Sequence, residues 1–325
     1  MRKGFISDGY PFGQILYPKI TRQDRLEVAF LKNSSDNVRG NMIKTSVIIP
    51  AYNAERTISE TLRSLLAQTA RDFEIVIVDD GSTDKTPEIC RRFQEDSPVA
   101  IRLFTQRNKR QSAARNLGIK KAEGGYVVFL DSDDLAEKEF IEKLVRAVGT
   151  DPEIDISYCS YSLLYQDGRT KPRKLPSRPG KRTLPGREAL IGLLEENLEV
   201  WSGSALYRRS VLVENNVFYD EKMTMGQDID FRWRAFYHAG KVYLEPDILV
   251  HYVQHDLSVT RAFDPVRFPP SSWIDPALFQ RYIEDYNDED ERLGYVLRNM
   301  VVPRFLLRRL RNYVFYGLND FFGKP

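Results

Sequence analysis

The chain has 325 residues, of which 42% are hydrophobic and 29% are charged. This composition supports a sizeable core and excludes global disorder. The formal net charge of +2 excludes a protein that binds nucleic acid through its overall charge, so a basic partner site would have to be local. The length suits one large α/β domain with appendages, or two domains.

Cysteine, histidine and leader patterns narrow the class of protein further. Cys90 and Cys159 lie far apart in the sequence, and the chain contains three histidines, so neither a disulfide framework nor a His-rich zinc site is expected. No apolar run reaches about 18 residues, and no apolar segment of a signal peptide follows the first residues. These features predict a cytoplasmic protein in a reducing compartment.

Residues 1–43 differ from the rest of the chain because they are rich in glycine and proline and lack a clear hydrophobic period. Two interpretations stay open. One is an N-terminal arm, poorly ordered or packed on the main domain. The other is an extended reading of the gene, with the biological start at Met42.

Four strand-like runs then alternate with helical patterns. The predicted strands are 46–50, 73–78, 99–104 and 126–130, and the predicted helices between them are 57–68, 86–93 and 112–122. The strands are almost continuously apolar, as expected for strands that are buried on both faces. Alternation with connections this long predicts right-handed β-α-β units and a mostly parallel sheet.

Polar clusters follow each of the four predicted strands. They are Tyr52-Asn53, Asp79-Asp80, Gln106-Arg107-Asn108 and Asp131-Ser132-Asp133-Asp134. Ligands of open α/β sheets bind outside the carboxyl ends of the strands, so these clusters should meet at one edge. Carboxylates there can share Mg²⁺ or Mn²⁺ with substrate phosphates. The alternative for the last cluster is a solvated acidic turn that caps the next helix.

The second half of the chain is less regular. A helix is predicted over 138–148, a strand from 154, and then a basic loop over about 166–186 that is either solvated or a lid for a phosphorylated acceptor. A further helix begins near residue 227. Asp228 and Asp230 fall in its first turn, where the helix dipole favours carboxylates. The functional alternative makes one of them a general base.

Four short motifs, in this order, resemble those of the family 2 glycosyltransferases. They are Val47-Ile48-Ile49-Pro50-Ala51-Tyr52-Asn53, Val78-Asp79-Asp80-Gly81-Ser82-Thr83-Asp84, Ala113-Ala114-Arg115-Asn116-Leu117-Gly118 and Phe129-Leu130-Asp131-Ser132-Asp133-Asp134. The resemblance covers roughly residues 44–262. It implies an α/β GT-A fold, in which helices flank a mostly parallel central sheet of Rossmann-like β-α-β units. It leaves 1–43 as the arm and 263–325 as a helical C-terminal extension.

The resemblance also implies which residues bind the donor. Asp80 would contact the uracil of a UDP-sugar, with Pro50, Tyr52 and Asp79 around the nucleoside. His255 falls where some family members place a histidine near the diphosphate or the metal, although a surface histidine after a strand is equally compatible with the sequence.

Metal binding and base catalysis are implied in the same way. Asp131, Asp133 and Asp134 are the candidate ligands of Mn²⁺ or Mg²⁺, and Asp131 is also expected to contact the donor. The later Glu-Asp pair of the family falls on Gln227 and Asp228, so Asp228 would be the general base. The glutamine departs from the family pattern and bears on the acceptor contact.

The implied activity is an inverting, metal-assisted transfer from a UDP-sugar to a hydroxyl of a glycan or lipid-linked glycan, as in polysaccharide biosynthesis. A non-catalytic sugar- or nucleotide-binding module is one alternative. A nucleotidyltransferase on a similar sheet is another, but it predicts a glycine- and lysine-rich loop after the first strand, and the sequence there is Pro50-Ala51-Tyr52-Asn53.

The C-terminal extension contains a predicted helix over 303–316 with an apolar side and a basic side that carries Arg304, Arg308 and Arg311. Residues 302–316 could contact the inner face of a membrane peripherally, pack on the main domain, or form a dimer contact. The oligomeric state does not follow from the sequence.

Overall fold

The computed structural model describes residues 45–173, 182–195, 200–223 and 226–254, together with Leu293 and Tyr295. The predicted N-terminal arm, His255 and the basic helix at 303–316 lie outside these residues, and the division of the chain into three segments stays a prediction. Within the described ranges, no helix combines the length and the apolar character that crossing a membrane requires.

The described residues form ten strands and seven α-helices. The strands are β1 (Thr45–Ala51), β2 (Phe73–Asp79), β3 (Ala100–Thr105), β4 (Tyr126–Phe129), β5 (Leu135–Ala136), β6 (Ile154–Tyr165), β7 (Thr170–Arg173), β8 (Thr183–Pro185), β9 (Ala205–Arg208) and β10 (Lys241–Gln254). The helices are α1 (Ile58–Leu66), α2 (Thr86–Glu95), α3 (Arg110–Lys121), α4 (Phe140–Thr150), α5 (Gly186–Leu194), α6 (Arg209–Glu214) and α7 (Gln227–His238).

All ten strands join one sheet, and the predicted α/β fold is confirmed. The sheet, predicted as mostly parallel, is mixed, because β9 is antiparallel to β4 and β6, and β5 is antiparallel to β10. The order is β3-β2-β1-β4-β9-β6-β10-β5, with β7 added to β6 and β8 added to β10. Strands β1 to β4 are mutually parallel, and every residue of β1, β2 and β4 is buried. Burial on both faces explains their continuous apolar sequence, because helices cover both sides of such a sheet.

The two faces of the sheet form two separate cores. Successive residues of a strand point to opposite faces, so Ile48 belongs to one core while Val47 and Ile49 belong to the other. Helices α1, α2 and α4 cover the second face, and α1 does so with buried residues at positions 58, 61, 62 and 65, the spacing of one helical face. Helices α3, α5, α6 and α7 cover the first face.

Close packing on the first face requires a glycine in α3. A Cβ atom on Gly118 would lie 2.2 Å from Cγ2 of Ile48 in β1, so only glycine lets this helix approach the strand so closely. Leu293, from the predicted C-terminal extension, is fully buried in the same core as Leu190 and Phe236. At least this residue of the extension therefore packs on the sheet domain.

The second half of the sheet differs from the expectation in detail. The predicted loop over 166–186 contains the short strands β7 and β8, which pair with the edges of β6 and β10. Three of the four residues of β7 are exposed, so the strand has little apolar sequence. It is held by backbone pairing with β6. Helix α6 was not expected either, since its six residues are too few to show a period.

Candidate active site

The four polar clusters meet at the carboxyl edge of β1 to β4, as predicted. Ala51 of β1 is in register with Asp79 of β2, which is in register with Thr105 of β3. The loops that follow continue this pairing, because the amide of Asp80 donates to the carbonyl of Ala51 at 2.8 Å and the amide of Gln106 donates to the carbonyl of Asp79 at 2.9 Å. The edge therefore presents one continuous polar surface.

Asp79 and Asp80 are both buried, and each organises a loop. Oδ1 of Asp79 accepts a hydrogen bond from the amide of Ser82 at 3.1 Å. Oδ1 of Asp80 accepts from Nε2 of Gln106 at 2.7 Å and from the amide of Lys109 at 2.9 Å. The loops after β2 and β3 are thus tied together by one carboxylate, which makes this part of the site rigid.

Gly81 lies where the same two loops touch. Its φ of +78° is in the left-handed region, and a Cβ atom there would lie 2.9 Å from the backbone nitrogen of Asn108. Both the conformation and the space therefore require glycine.

The loop after β1 is joined to the same assembly by Asn53. Its side-chain Oδ1 accepts from the backbone amide of Thr83 at 2.9 Å, and its backbone amide donates to the hydroxyl of Ser82 at 3.0 Å. Asn53 adopts a φ of +50°, which asparagine tolerates better than most residues. The neighbouring Tyr52 leaves 51% of its surface exposed, whereas Pro50 is buried within β1. An exposed aromatic ring suits stacking against a planar base.

The acidic turn after β4 contains three carboxylates in different environments. Asp131 is partly exposed, and its Oδ1 accepts from Nε2 of Gln111 at 3.0 Å. Asp133 is also partly exposed, whereas Asp134 is fully buried. Oδ1 of Asp134 accepts from the amide of Val253 in β10 at 2.9 Å, so this side chain connects the turn to the second half of the sheet.

The electrostatics of Asp134 separate it from its neighbours. Burial, followed by the charges of Asp133 and Asp131, raises the pKa of the Asp134 carboxyl well above its ordinary value. Its Oδ2 atom is buried and has no hydrogen-bond partner among the described residues. Of the three candidate metal ligands, Asp131 and Asp133 are therefore the two that a ligand can approach from solvent.

Arg115 belongs to this site by its contacts, although the sequence assigned it no role. It lies on α3 with 2% of its side chain exposed, and it contacts two carboxylates at once. Its Nη2 donates to Oδ1 of Asp131 at 2.8 Å, and its Nη1 donates to Oδ1 of Asp228 at 2.5 Å. Burial acts to lower the pKa of the guanidinium, but Asp228 and Asp131 raise it above its ordinary value. Arg115 is therefore a permanent cation between the two acids.

Asp228 and Asp230 have different environments although they share the first turn of α7. Asp230 is 1% exposed and forms an ion pair with Arg234, one turn along the same helix. Asp228 is 35% exposed at its side chain and faces Arg115 and the carboxyl edge. Gly226, with a φ of +78°, provides the sharp entry to the helix. Of the two candidates for a general base, only Asp228 lies in the site.

Asn116, next to Arg115, fixes the segment that leads to α7. Its Nδ2 donates to the carbonyl of Tyr219 at 2.9 Å and to the carboxylate of Glu221 at 3.0 Å, while its Oδ1 accepts from the amide of Tyr219 at 2.8 Å. The ring of Tyr219 lies 5.0 Å from the guanidinium carbon of Arg115. The sequence signal for both residues was an Arg-Asn pair within the small, apolar stretch Ser112-Ala113-Ala114-Arg115-Asn116-Leu117-Gly118 of a helix.

Residues 46–215 match the glycosyl transferase family 2. The chain belongs to this family. The resemblance of its four motifs is thereby confirmed. The match ends before Asp228, which nevertheless contacts the same guanidinium as Asp131.

Two family members show the extent of the similarity. The uncharacterised glycosyltransferase YibD of Escherichia coli strain K12 is 33% identical over 223 residues, which cover 67% of this chain and 63% of YibD. The poly(ribitol-phosphate) beta-N-acetylglucosaminyltransferase TarS of Staphylococcus aureus is 30% identical over 213 residues, which cover 65% of this chain and 35% of TarS. The chain thus spans less than two thirds of the length of either relative.

Solved structures confirm the GT-A fold. The structure of S. aureus TarS 1-349 in complex with UDP-GlcNAc superposes with a TM-score of 0.63 at 24% identity, covering 78% of this chain and 70% of that one. A mannosyltransferase of Pyrobaculum calidifontis in complex with GDP-Man and Mn²⁺ superposes with a TM-score of 0.54 at 18% identity, covering 90% of this chain and 84% of that one.

Across the described ranges, no group of three or more His, Cys, Asp and Glu side chains is arranged to hold a metal ion. The oxygen donors of Asp131 and Asp133 nevertheless fit Mg²⁺ or Mn²⁺ chemistry, because these ions commonly bind through one or two carboxylates and complete their shell with substrate phosphates and water. The carboxylate of Asp134 accepts a hydrogen bond from the amide of Val253, which suits a residue that supports the other two acids from behind.

Proposed function

We propose that this chain transfers a sugar from a UDP-sugar to a hydroxyl group of a glycan or lipid-linked glycan, with inversion at the anomeric carbon. The observation that carries the proposal is the contact of Arg115 with both Asp131 and Asp228. Asp131 follows β4 and Asp228 lies in the first turn of α7, and the two acids share one cation. A donor diphosphate near Asp131 and an acceptor hydroxyl near Asp228 would therefore lie next to each other.

The nucleoside would occupy the edge formed by the loops after β1, β2 and β3. Tyr52 supplies an exposed ring, and Asp79 and Asp80 supply buried carboxylates in a rigid frame. The relative TarS is named for N-acetylglucosamine transfer, and its structure was solved in complex with UDP-GlcNAc, which supports a UDP-sugar as the donor class here. Asp80 is the residue we assign to the uracil.

The transfer itself needs one proton acceptor and one leaving group. The acceptor oxygen forms a bond to the anomeric carbon from the face opposite the diphosphate, its proton passes to Asp228, and the bond from the anomeric carbon to the diphosphate oxygen breaks to release UDP. A carboxylate within hydrogen-bond reach of the hydroxyl is sufficient as base. A single displacement of this kind inverts the anomeric centre and needs no covalent intermediate on the enzyme.

A divalent cation held by Asp131 and Asp133 would supply Lewis-acid stabilisation of the charge that develops on the leaving diphosphate. The proposal assigns Asp134 a supporting position behind these two residues, because its Oδ1 is already engaged by β10. The solved mannosyltransferase with GDP-Man and Mn²⁺ supports Mn²⁺ as the first ion to test.

Two other functions are less well supported by the same geometry. A nucleotidyltransferase would need a glycine- and lysine-rich loop after β1, whereas that loop is built around Tyr52 and Asn53. A non-catalytic binding module would have no use for a partly exposed carboxylate at Asp228 that points at the donor side. Both alternatives predict no sugar transfer.

The deciding experiment is a panel of nucleotide sugars assayed for release of the free nucleotide, with Mn²⁺, with Mg²⁺ and with a chelator. We expect UDP release from at least one UDP-sugar, stimulated by a glycan acceptor and abolished by chelation. No UDP release with any donor, metal or acceptor would refute the proposal.

We also propose a cytoplasmic location, with peripheral contact to the inner face of the cell membrane through residues 302–316.

A further inference from the structure

Arg115 is held by three contacts among the described residues, although its Nε atom has no hydrogen-bond partner there. Its two Nη atoms each donate to a different carboxylate, and the ring of Tyr219 lies 5.0 Å from the guanidinium carbon. Tyr219 is itself fixed, because its ring stacks on Phe231 at a centroid distance of 4.1 Å and its backbone is bound by Asn116. A side chain held in this way has almost no freedom to follow one carboxylate at the expense of the other.

One positive charge is thus shared between the donor carboxylate Asp131 and the base Asp228. Asp131 accepts a hydrogen bond from Gln111 in addition to its contact with Arg115. For Asp228, the salt bridge with Arg115 is the charged contact found among the described residues. Any cation that approaches Asp131 competes with Arg115 for that carboxylate. Asp131 then attracts the guanidinium less strongly, so the contact between Arg115 and Asp228 becomes stronger.

We propose that Arg115 is a positioning residue that couples the donor half of the site to the acceptor half, an inference that rests on the proposed function. It sets the place of Asp228 relative to Asp131. When Asp131 is engaged by the donor, the guanidinium keeps the Asp228 carboxylate aimed at the acceptor hydroxyl. Arg115 acts through these two carboxylates and is not assigned a contact with the transferred sugar.

The fork geometry of arginine is essential to this role. Nη1 and Nη2 are rigidly joined, so two carboxylates that each bind one of them are held at a defined separation. A lysine ammonium carries the same charge but is a single point on a flexible stem, and it cannot hold both carboxylates in those directions. Arg115→Lys therefore removes the coupling and preserves the charge.

The test compares Arg115→Lys with Arg209→Lys in the full chain. Arg209 is also buried, at 3% exposure, but its Nε donates to the carbonyl of Ile119, away from the acidic residues of the site. We expect Arg115→Lys to lower kcat about 100-fold, the cost of misplacing a catalytic group by about an ångström. We expect both variants to bind UDP within about threefold of wild type by calorimetry, and Arg209→Lys to keep its kcat.

The support behind Arg115 gives a second comparison. Tyr219→Phe keeps the ring and removes a buried hydroxyl that has no hydrogen-bond partner among the described residues, so kcat should stay within about threefold of wild type. Tyr219→Leu removes the ring that faces the guanidinium, so kcat should fall about tenfold while UDP binding persists. Equal kcat values for these two variants would contradict a role for the ring.

A readout without turnover separates this inference from the proposed function. The changes in free energy of unfolding by urea should be non-additive for Asp131→Asn, Asp228→Asn and the double variant, because each acid interacts more strongly with Arg115 when the other is neutralised. In an Arg115→Met background the same changes should be additive. Additive effects in the Arg115 protein, or an Arg115→Lys kcat within about tenfold of wild type, would overturn the coupling. If the wild type is inactive and the unfolding free energies are non-additive, the proposed function is wrong while the coupling through Arg115 stands.

Discussion

The donor half and the acceptor half of the site are built on different physical principles. In the donor half, Asp79 and Asp80 are buried and satisfied by backbone and side-chain donors of the loops after β2 and β3. In the acceptor half, Asp228 is about a third exposed and is held by one guanidinium. The half that we propose for the donor is therefore fixed by several hydrogen bonds, while the half that we propose for the acceptor is held, among the described residues, by one charged contact.

This difference bears on how the proposed function would tolerate change. Hydrogen bonds to the carboxylates of Asp79 and Asp80, two of them from backbone amides, fix the frame proposed for the nucleotide. The proposed base, Asp228, is contacted by Arg115 of α3, so we expect the segments around α7 to change with little effect on the frame. Substitutions in the two halves should accordingly separate binding from turnover.

The largest expected effect is that of Asp228→Asn. Removing the base should lower kcat about 1,000-fold, within the range of general-base contributions, while the affinity for UDP stays unchanged. Steady-state kinetics and calorimetry with UDP measure the two quantities. Asp230→Asn is the matched control, because Asp230 shares the helical turn but pairs with Arg234.

For Asp230→Asn we expect a lower melting temperature and a kcat per folded molecule near that of wild type, since breaking a buried ion pair costs about 3–5 kcal/mol of stability. If Asp228→Asn keeps its turnover and Asp230→Asn loses it, the assignment of the base to Asp228 is wrong.

The acidic turn should divide in the same way. We expect Asp133→Asn to lower kcat about 100-fold and to weaken Mn²⁺ binding, because it removes an accessible oxygen ligand. Asp134→Asn should leave kcat within about tenfold of wild type, because its amide oxygen can still accept the hydrogen bond from Val253. Mn²⁺ affinity is measured by electron paramagnetic resonance of the free ion. The reverse ranking would make Asp134 the direct ligand.

The donor frame is tested by Asp80→Ala. This change removes the acceptor used by Nε2 of Gln106 and the amide of Lys109, and a lost buried partner costs about 1–3 kcal/mol. We therefore expect UDP affinity to fall about 10- to 100-fold, with kcat at saturating donor little changed. Asp96→Ala, just past the end of α2, is the control and should bind UDP normally. A fall in kcat at unchanged affinity would place Asp80 in the chemistry.

The smallest effect concerns the predicted basic helix at 303–316. If its arginines contact an anionic membrane, Arg308→Gln should weaken binding to phosphatidylglycerol vesicles about fivefold, since each basic residue near such a surface contributes about 1 kcal/mol. Arg63→Gln on α1 is the control. Co-sedimentation with vesicles measures the binding, and a wild type that stays in solution would reject the membrane contact.

Prediction from sequence succeeded where burial leaves a one-dimensional signal. The strands β1 to β4 were expected within about two residues of their observed ends, because residues buried on both faces must be apolar. The polar residues at their carboxyl ends followed from the parallel topology. Strand β7 was missed because its order comes from pairing with β6, and hydrogen-bond partners far away in sequence leave no pattern of their own.

The sequence by itself determined the family, the parallel arrangement of β1 to β4 and the acids that were candidates for the site: Asp79, Asp80, Asp131, Asp133, Asp134, Asp228 and Asp230. Only the tertiary structure decided which of them are exposed and which share a charged partner. Burial removed Asp134 and Asp230 from solvent, and Arg115 brought Asp131 and Asp228 to one guanidinium. The physical reason is that exposure and charge pairing depend on distances in space, which sequence spacing does not contain.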